Sequence, residues 1–71
     1  MNLRVLSWNA RGLNSNLDQL VNYLKNSLLD PDIICVQETF MIGNNIVIPG
    51  YIGIFEHQII RKGGGVAMFI K

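Results

Sequence analysis

Residues 33–40 read IICVQETF: four apolar residues in a row, then an amide, Gln37, and then a carboxylate, Glu38. An apolar run with no polar alternation is the pattern of a parallel strand covered on both faces. Upstream, residues 3–8 (LRVLSW) do alternate. Leu3, Val5 and Ser7 fall on one side and Arg4, Leu6 and Trp8 on the other, at the length and composition of a short strand. Asn9-Ala10-Arg11-Gly12 breaks that pattern with turn formers. A helix is predicted next, with Ser15 as N-cap and Asp18 completing a pair that resembles a capping box. Leu17, Leu20, Val21, Leu24 and Leu28 recur at helical spacing and form one apolar stripe. Pro31 disfavours helix at Asp30, so the helix should stop near Leu29. Strand, helix and strand at this spacing make a βαβ unit with a right-handed crossover.

Beyond it the pattern is one of short strands. Residues 39–45 read as a loop, residues 46–48 as a short strand ended by Pro49-Gly50, and residues 51–56 and 65–70 as two more strands. Between the last two lies a basic, glycine-ended loop, HQIIRKGG. The predicted class is α/β: one βαβ unit followed by a β-ribbon of the same sheet.

The chain has 71 residues, one domain at most. Hydrophobic residues make up 49% and charged residues 15%, against about 25% charge in an average soluble domain. Such a chain is too apolar to be disordered. A single helix covers one face of a small sheet, which leaves the other face of IICV without a layer. Both features lead to the expectation that residues 1–71 are the N-terminal part of a larger domain, with the remainder of that domain as a packing partner. The net charge of +1 does not by itself argue for nucleic acid or an anionic surface. No apolar run approaches the roughly 20 residues of a spanning helix, and the start, MNLRVLSWN, lacks the pattern of a secretory signal. Cys35 is the single cysteine, which excludes an internal disulfide and fits an intracellular setting, with the nucleus as one possibility. Trp8 and Cys35 read as core, and Met41 and Met68 as gap fillers.

In open α/β sheets, ligands bind outside the carboxyl ends of the parallel strands. Asn9 follows the first strand and Glu38 the second, so neighbouring strands place both on one edge. Two readings stand on spacing alone. Glu38 caps its loop while Asn9 holds a turn, or the carboxylate and the amide oxygen share a hard cation such as Mg²⁺ or Mn²⁺. Arg11, Arg61 and Lys62 lie in loops, where such side chains either contact phosphates or are simply solvated. Gly63-Gly64-Gly65 precedes a strand, not a helix, so it is a turn and strand entry with close backbone packing and not a phosphate loop.

LRVLSWNARGL (3–13), a helix, DIICVQETF (32–40) and RKGGGVAMFIK (61–71) together resemble the endonuclease/exonuclease/phosphatase superfamily. Within it the sequence is most similar to the apurinic-type endonuclease domains of non-LTR retrotransposons, the LINE-like and jockey-like elements. The GGGVAMFIK strand with Arg61 before it is what favours that branch. The resemblance implies a four-layer helix–sheet–sheet–helix sandwich, of which this chain is one part. It implies a Mg²⁺- or Mn²⁺-dependent hydrolase of DNA phosphodiesters within a reverse-transcriptase polyprotein. Carried onto this sequence, it makes Glu38 a metal ligand, Asn9 the active-site asparagine beside the metal and the scissile phosphate, and Gln37 the group that orients the carboxylate. Arg11 and Arg61 become possible phosphate contacts. The tyrosine, Asp-x-Asn and Ser-Asp-His that the family supplies further along have no counterpart in residues 1–71, and His57, the only histidine, stands in a loop. The chain alone is therefore expected to be inactive. The alternatives are part of another phosphoesterase of the superfamily, a repair apurinic endonuclease or a small-molecule phosphatase, or a non-catalytic remnant.

Overall fold

Strand β1 (Val5–Asn9) runs into helix α1 (Leu13–Asn26) and returns as strand β2 (Ile33–Gln37). Strands β3 (Ile52–Glu56) and β4 (Val66–Ile70) follow. The computed structural model describes residues 2–40, 46–56 and 64–71. One mixed sheet forms in the order β1-β2-β4-β3. β1 and β2 are parallel, with Val5 opposite Ile33 and Asn9 opposite Gln37. β4 lies antiparallel to both β2 and β3, with Gln37 and Glu56 each opposite Val66. The α/β class is as expected, with the βαβ unit and the ribbon β3–β4 joined in one sheet.

Alternation sorts the strand side chains to two faces. Ile34 and Val36 of β2, Ala67 and Phe69 of β4, Leu6 and Trp8 of β1 and Phe55 of β3 gather with Leu13, Leu17, Leu20 and Leu24 of α1 into the core. Full burial of Leu13, Ile34, Val36 and Phe69 contributes roughly 1.5–3 kcal/mol each relative to exposure. The Phe55 and Phe69 rings meet edge to face, 5.6 Å apart at 88°. The opposite face carries Val5, Cys35, Val66, Met68, Ile52 and Ile54 and has no covering layer among the described residues. Ile52 is 71% and Ile54 56% exposed. Cys35 is half-buried and Met68 exposed on this face, so neither is the enclosed core residue that its type suggested.

Several boundaries move for physical reasons. β1 starts at Val5, because the Arg4 carbonyl accepts from Asp32 and Ile33 N–H while Arg4 N–H donates to Asp32 Oδ2 at 3.0 Å. Helix α1 begins at Leu13 with Gly12 in the cap position and no side-chain cap, so Ser15 is the third helical residue and not the N-cap. Backbone partners replace the side-chain cap at the first two amides. Gly12 N–H donates to the Glu38 carbonyl and Leu13 N–H to that of Thr39, each at 2.9 Å, and these bonds satisfy two of the four donors that a helix start otherwise leaves open. The helix ends at Asn26, earlier than Pro31 alone requires. Ser27 is extended, and its Oγ accepts from Leu29 N–H at 3.0 Å, the local competition by which serine leaves a helix. Leu28 therefore falls outside the apolar stripe and stands in solvent. Residues 46–48 are irregular and not a strand, although Ile48 is buried. A turn through Pro49-Gly50, closed by Tyr51 N–H donating to the Ile48 carbonyl at 3.0 Å, replaces it.

The end of the sheet where β2 begins is pinned by polar contacts. Tyr51 Oη donates to the Pro31 carbonyl at 2.7 Å, Lys71 N–H donates to that of Asp32 at 2.9 Å, and Lys71 Nζ pairs with Asp30. No helix among the described residues is long and apolar enough to cross a membrane.

Candidate metal-binding edge

The opposite end of the sheet, where β1 and β2 finish, holds the residues with chemistry. Parallel pairing sets Asn9 beside Gln37, and each chain then turns sharply. Arg11 (φ 49°), Glu38 (φ 52°) and Phe40 (φ 51°) all adopt left-handed backbone. Side chains with a Cβ rarely do so, and such residues cluster where a functional geometry is over-determined by its surroundings. The three are the described non-glycine residues with positive φ, and all lie at this one edge.

The turns bring Asn9 and Glu38 into direct contact: Asn9 Nδ2 donates to Glu38 Oε2. The Asn9 side-chain oxygen faces its own turn and accepts from Arg11 N–H at 3.3 Å. The Glu38 carboxylate, half-buried, keeps its second oxygen as an acceptor. The amide that reaches Glu38 is thus Asn9's. Gln37, in strand geometry, sends its amide across the sheet, where Nε2 donates to Ser7 Oγ at 3.2 Å and more weakly to the Cys35 carbonyl at 3.4 Å. Arg11 is exposed at the rim of the edge. Arg61, like Lys62 and His57, lies outside the described residues.

The second oxygen of the Glu38 carboxylate suits a hard cation that keeps most of its waters, as Mg²⁺ does, whereas the Asn9 amide turns its nitrogen and not its oxygen to the carboxylate, so the expected pair of oxygen ligands is not formed. Among the described residues no group of three or more His, Cys, Asp or Glu is assembled. The edge can therefore offer such an ion the Glu38 carboxylate; the other acid at this end of the sheet among the described residues, Glu56, stands two strands away, across Val66 from Gln37.

Asn16 is a further residue of this edge, one not singled out by the motif reading. Its Nδ2 donates to the Ala10 carbonyl at 2.8 Å and to that of Arg11 at 3.3 Å, which ties the turn after Asn9 to the first turn of α1. An asparagine so early in a helix was the available signal, since asparagine favours backbone bonds of this kind over helix interiors. Thr39, beside Glu38, is 1% exposed, and its hydroxyl has no hydrogen-bond partner among the described residues.

Comparison with known proteins bears on the family and the fold. A family model described as the Endonuclease/Exonuclease/phosphatase family matches residues 6–71. The chain is 33% identical over 75 residues to DNA-(apurinic or apyrimidinic site) endonuclease 2 of Xenopus laevis, covering 97% of this chain and 14% of that protein. It is 33% identical over 81 residues to the protein of the same name from Schizosaccharomyces pombe, again over 97% of this chain and 16% of the relative. It thus spans about a sixth or less of the curated relatives it matches. Among solved structures, a 3′ phosphatase from Neisseria bound to product DNA hairpin superposes with a TM-score of 0.75 at 25% identity, over 97% of this chain and 27% of the other. An AP endonuclease from Archaeoglobus fulgidus gives 0.74 at 26% identity, over 97% and 27%.

Proposed function

The chain belongs to the endonuclease/exonuclease/phosphatase family, and we propose that it supplies the metal-holding edge of a DNA endonuclease encoded by a retrotransposon-like reverse-transcriptase polyprotein. The observation that carries this reading is the contact of Asn9 with Glu38 at the shared carboxyl edge of β1 and β2. Relatives named as apurinic endonucleases and a structural neighbour bound to a DNA hairpin support DNA as the substrate. The GGGVAMFIK strand with Arg61 before it supports the retroelement branch.

In this reading Glu38 holds Mg²⁺ or Mn²⁺, which when bound stabilises negative charge on the phosphate and on the departing oxygen. Asn9 keeps the carboxylate turned toward the edge and presents its amide to the phosphate. Gln37 supports the edge through the strand pair, by its bond to Ser7. Arg11 at the rim, with Arg61, contacts the flanking phosphates as arginines commonly do. The face of the sheet that bears Ile52 and Ile54 packs against a second apolar layer, the remainder of the domain. Neither the attacking water nor its base has a partner among the described residues, so the chain alone binds the cation but does not cleave.

Titrating the ¹⁵N-labelled chain with Mn²⁺ tests the site. The Glu38 and Asn9 signals should broaden first, and Glu38→Gln should abolish that selectivity. Uniform broadening in both proteins would refute the assignment. A plasmid-nicking assay with Mg²⁺ should show no cleavage by the chain, and nicking lost in Glu38→Gln would overturn the inactivity. Reading the open frame past codon 71 tests the retroelement branch: reverse-transcriptase sequence is expected, and a frame encoding a nuclease domain alone contradicts it.

A further inference from the structure

Glu38 is held in left-handed backbone by bonds it does not itself choose. Its carbonyl accepts from Gly12 N–H at 2.9 Å, on the side of helix α1. On the other side, Thr39 N–H donates to the Gly65 carbonyl at 3.2 Å and Phe40 N–H to the Gly64 carbonyl at 2.9 Å. The three residues that follow β2 are thus gripped between the start of α1 and the entry to β4. The grip on the β4 side depends on two consecutive residues with φ of 85° and 86°, Gly64 and Gly65. Side chains seldom adopt that backbone, and glycine does so freely. Two left-handed residues in succession aim both carbonyls back at the segment that carries Glu38.

We propose that Gly64 and Gly65 are positioning residues for the Glu38 carboxylate: their carbonyls lock Thr39 and Phe40, fix the left-handed turn at Glu38, and so hold its carboxylate against Asn9. The glycines act through Glu38 and touch neither cation nor phosphate. This gives the glycine run a task beyond strand entry. It also accounts for the strained backbone at Glu38 and Phe40, which persists because partners on both sides over-determine it. The consequence for the cation rests on the reading of Glu38 as its ligand, whereas the consequence for the Asn9–Glu38 contact does not.

The test uses that contact as a metal-free readout. In the ¹⁵N-labelled chain the Asn9 side-chain amide signal reports the bond to Glu38, and Glu38→Gln marks where the signal moves when the carboxylate is gone. Gly65→Ala, which disfavours the left-handed backbone, should move the Asn9 signal toward that position. Gly65→Asn should leave it near its original place, because asparagine tolerates left-handed backbone. An unmoved Asn9 signal in a folded Gly65→Ala chain overturns the proposal. So does an equal shift in both variants, since bulk at the position and not backbone conformation would then be the cause. Should Gly65→Ala fail to fold, hydrogen exchange in the unsubstituted chain decides. Thr39 and Phe40 amides protected at least tenfold over free peptide support the clamp, and exchange at free-peptide rates refutes it. With Mn²⁺ added, half-broadening should require about tenfold more metal in Gly65→Ala, within the range for groups that orient a ligand. If Mn²⁺ never selects Glu38 in the unsubstituted chain, the cation reading fails while the Asn9 readout still judges the clamp.

Discussion

Replacing Thr39 by valine should stabilise the chain, although it removes a polar group one residue from the proposed metal ligand. Thr39 is 1% exposed, and its Oγ1 finds no partner among the described residues. Its backbone is already satisfied on both sides, by the Gly65 carbonyl and by Leu13 N–H, so the hydroxyl is not needed to anchor the turn. A buried hydroxyl without a partner costs about 1–3 kcal/mol. Valine has nearly the same shape and puts a methyl group where the hydroxyl was, so packing is retained while that cost disappears. The expected gain is about 1–2 kcal/mol. For a chain of this size each kcal/mol moves Tm by roughly 4–8 °C. Serine is the matched control. It keeps the unpartnered hydroxyl and deletes the methyl, and should lose about 1 kcal/mol. Urea and thermal melts followed by circular dichroism measure both, and an unchanged urea slope certifies that the denatured state is the same. If Thr39→Val is destabilised by 1 kcal/mol or more, the hydroxyl has a partner in the folded chain and the reasoning is wrong.

The remaining predictions concern the sheet and its pinned end. Gly53→Ala puts a Cβ 2.9 Å from Phe55 Cε2 and 3.2 Å from Phe69 Cε1, and overpacking that ring pair should cost about 1–3 kcal/mol; a gain in urea midpoint would show that the rings give way freely. Burial, aided by Asp30 and Asp32 and opposed by Lys71, raises the Tyr51 pKa above its ordinary 10.0, and the bond to Asp30 raises that of Lys71 above 10.5. Both groups bind their protons more tightly when folded, so their contribution is complete below those ordinary values and is lost as pH rises through the raised ones. Tm should therefore fall between about pH 9 and pH 12, and Tyr51→Phe, which gives up about 1 kcal/mol with the bond to Pro31, should flatten that fall; an alkaline slope identical in the two proteins counts against the assignment. Ile54→Lys on the uncovered face should raise solubility and change Tm by no more than about 0.5 kcal/mol's worth, as for other exposed positions, and a collapse of Tm would mean that the face is covered after all.

How much of this was legible in the sequence depended on whether the controlling partner was local. IICV announced a central strand by its unbroken apolar run, yet burial on both faces is not what the described residues show: Ile34 and Val36 are fully buried on the helix side, while Ile33 and Cys35 on the other are half-buried. Asn9 and Glu38 could be assigned to one edge because strand polarity alone decides which end they occupy. The helix start was misjudged because Ser15 and Asp18 form a plausible local cap, while the true partners of the first amides are carbonyls of Glu38 and Thr39, some 26 residues away in sequence from Gly12 and Leu13. Residues 46–48 were misjudged because Ile48 is buried without pairing, and burial alone mimics a strand. The left-handed backbone at Arg11, Glu38 and Phe40 leaves no trace in residue type, since none of the three favours it.

The two ends of the sheet are held in different ways, and the difference bears on function. At the start of β2, contacts from Tyr51, Asp32 and Lys71 secure a backbone with no left-handed non-glycine residue. At its finish, strained backbone at three residues, a direct contact between Asn9 and Glu38 and a buried hydroxyl without a partner among the described residues crowd into a few residues. Sheet stability does not ask for this arrangement, because the ladder is already complete at Gln37. Strain is tolerated where it is repaid by a geometry that relaxed backbone cannot supply. Here that geometry is a carboxylate turned back onto the asparagine of the neighbouring strand, with the start of α1 on one side and the glycines before β4 on the other. The apolar, uncovered face belongs to the same logic. If the edge takes a cation and a phosphate, as proposed, the second layer can lie only on the face where Ile52 and Ile54 stand exposed, and not across the edge that Asn9 and Glu38 occupy.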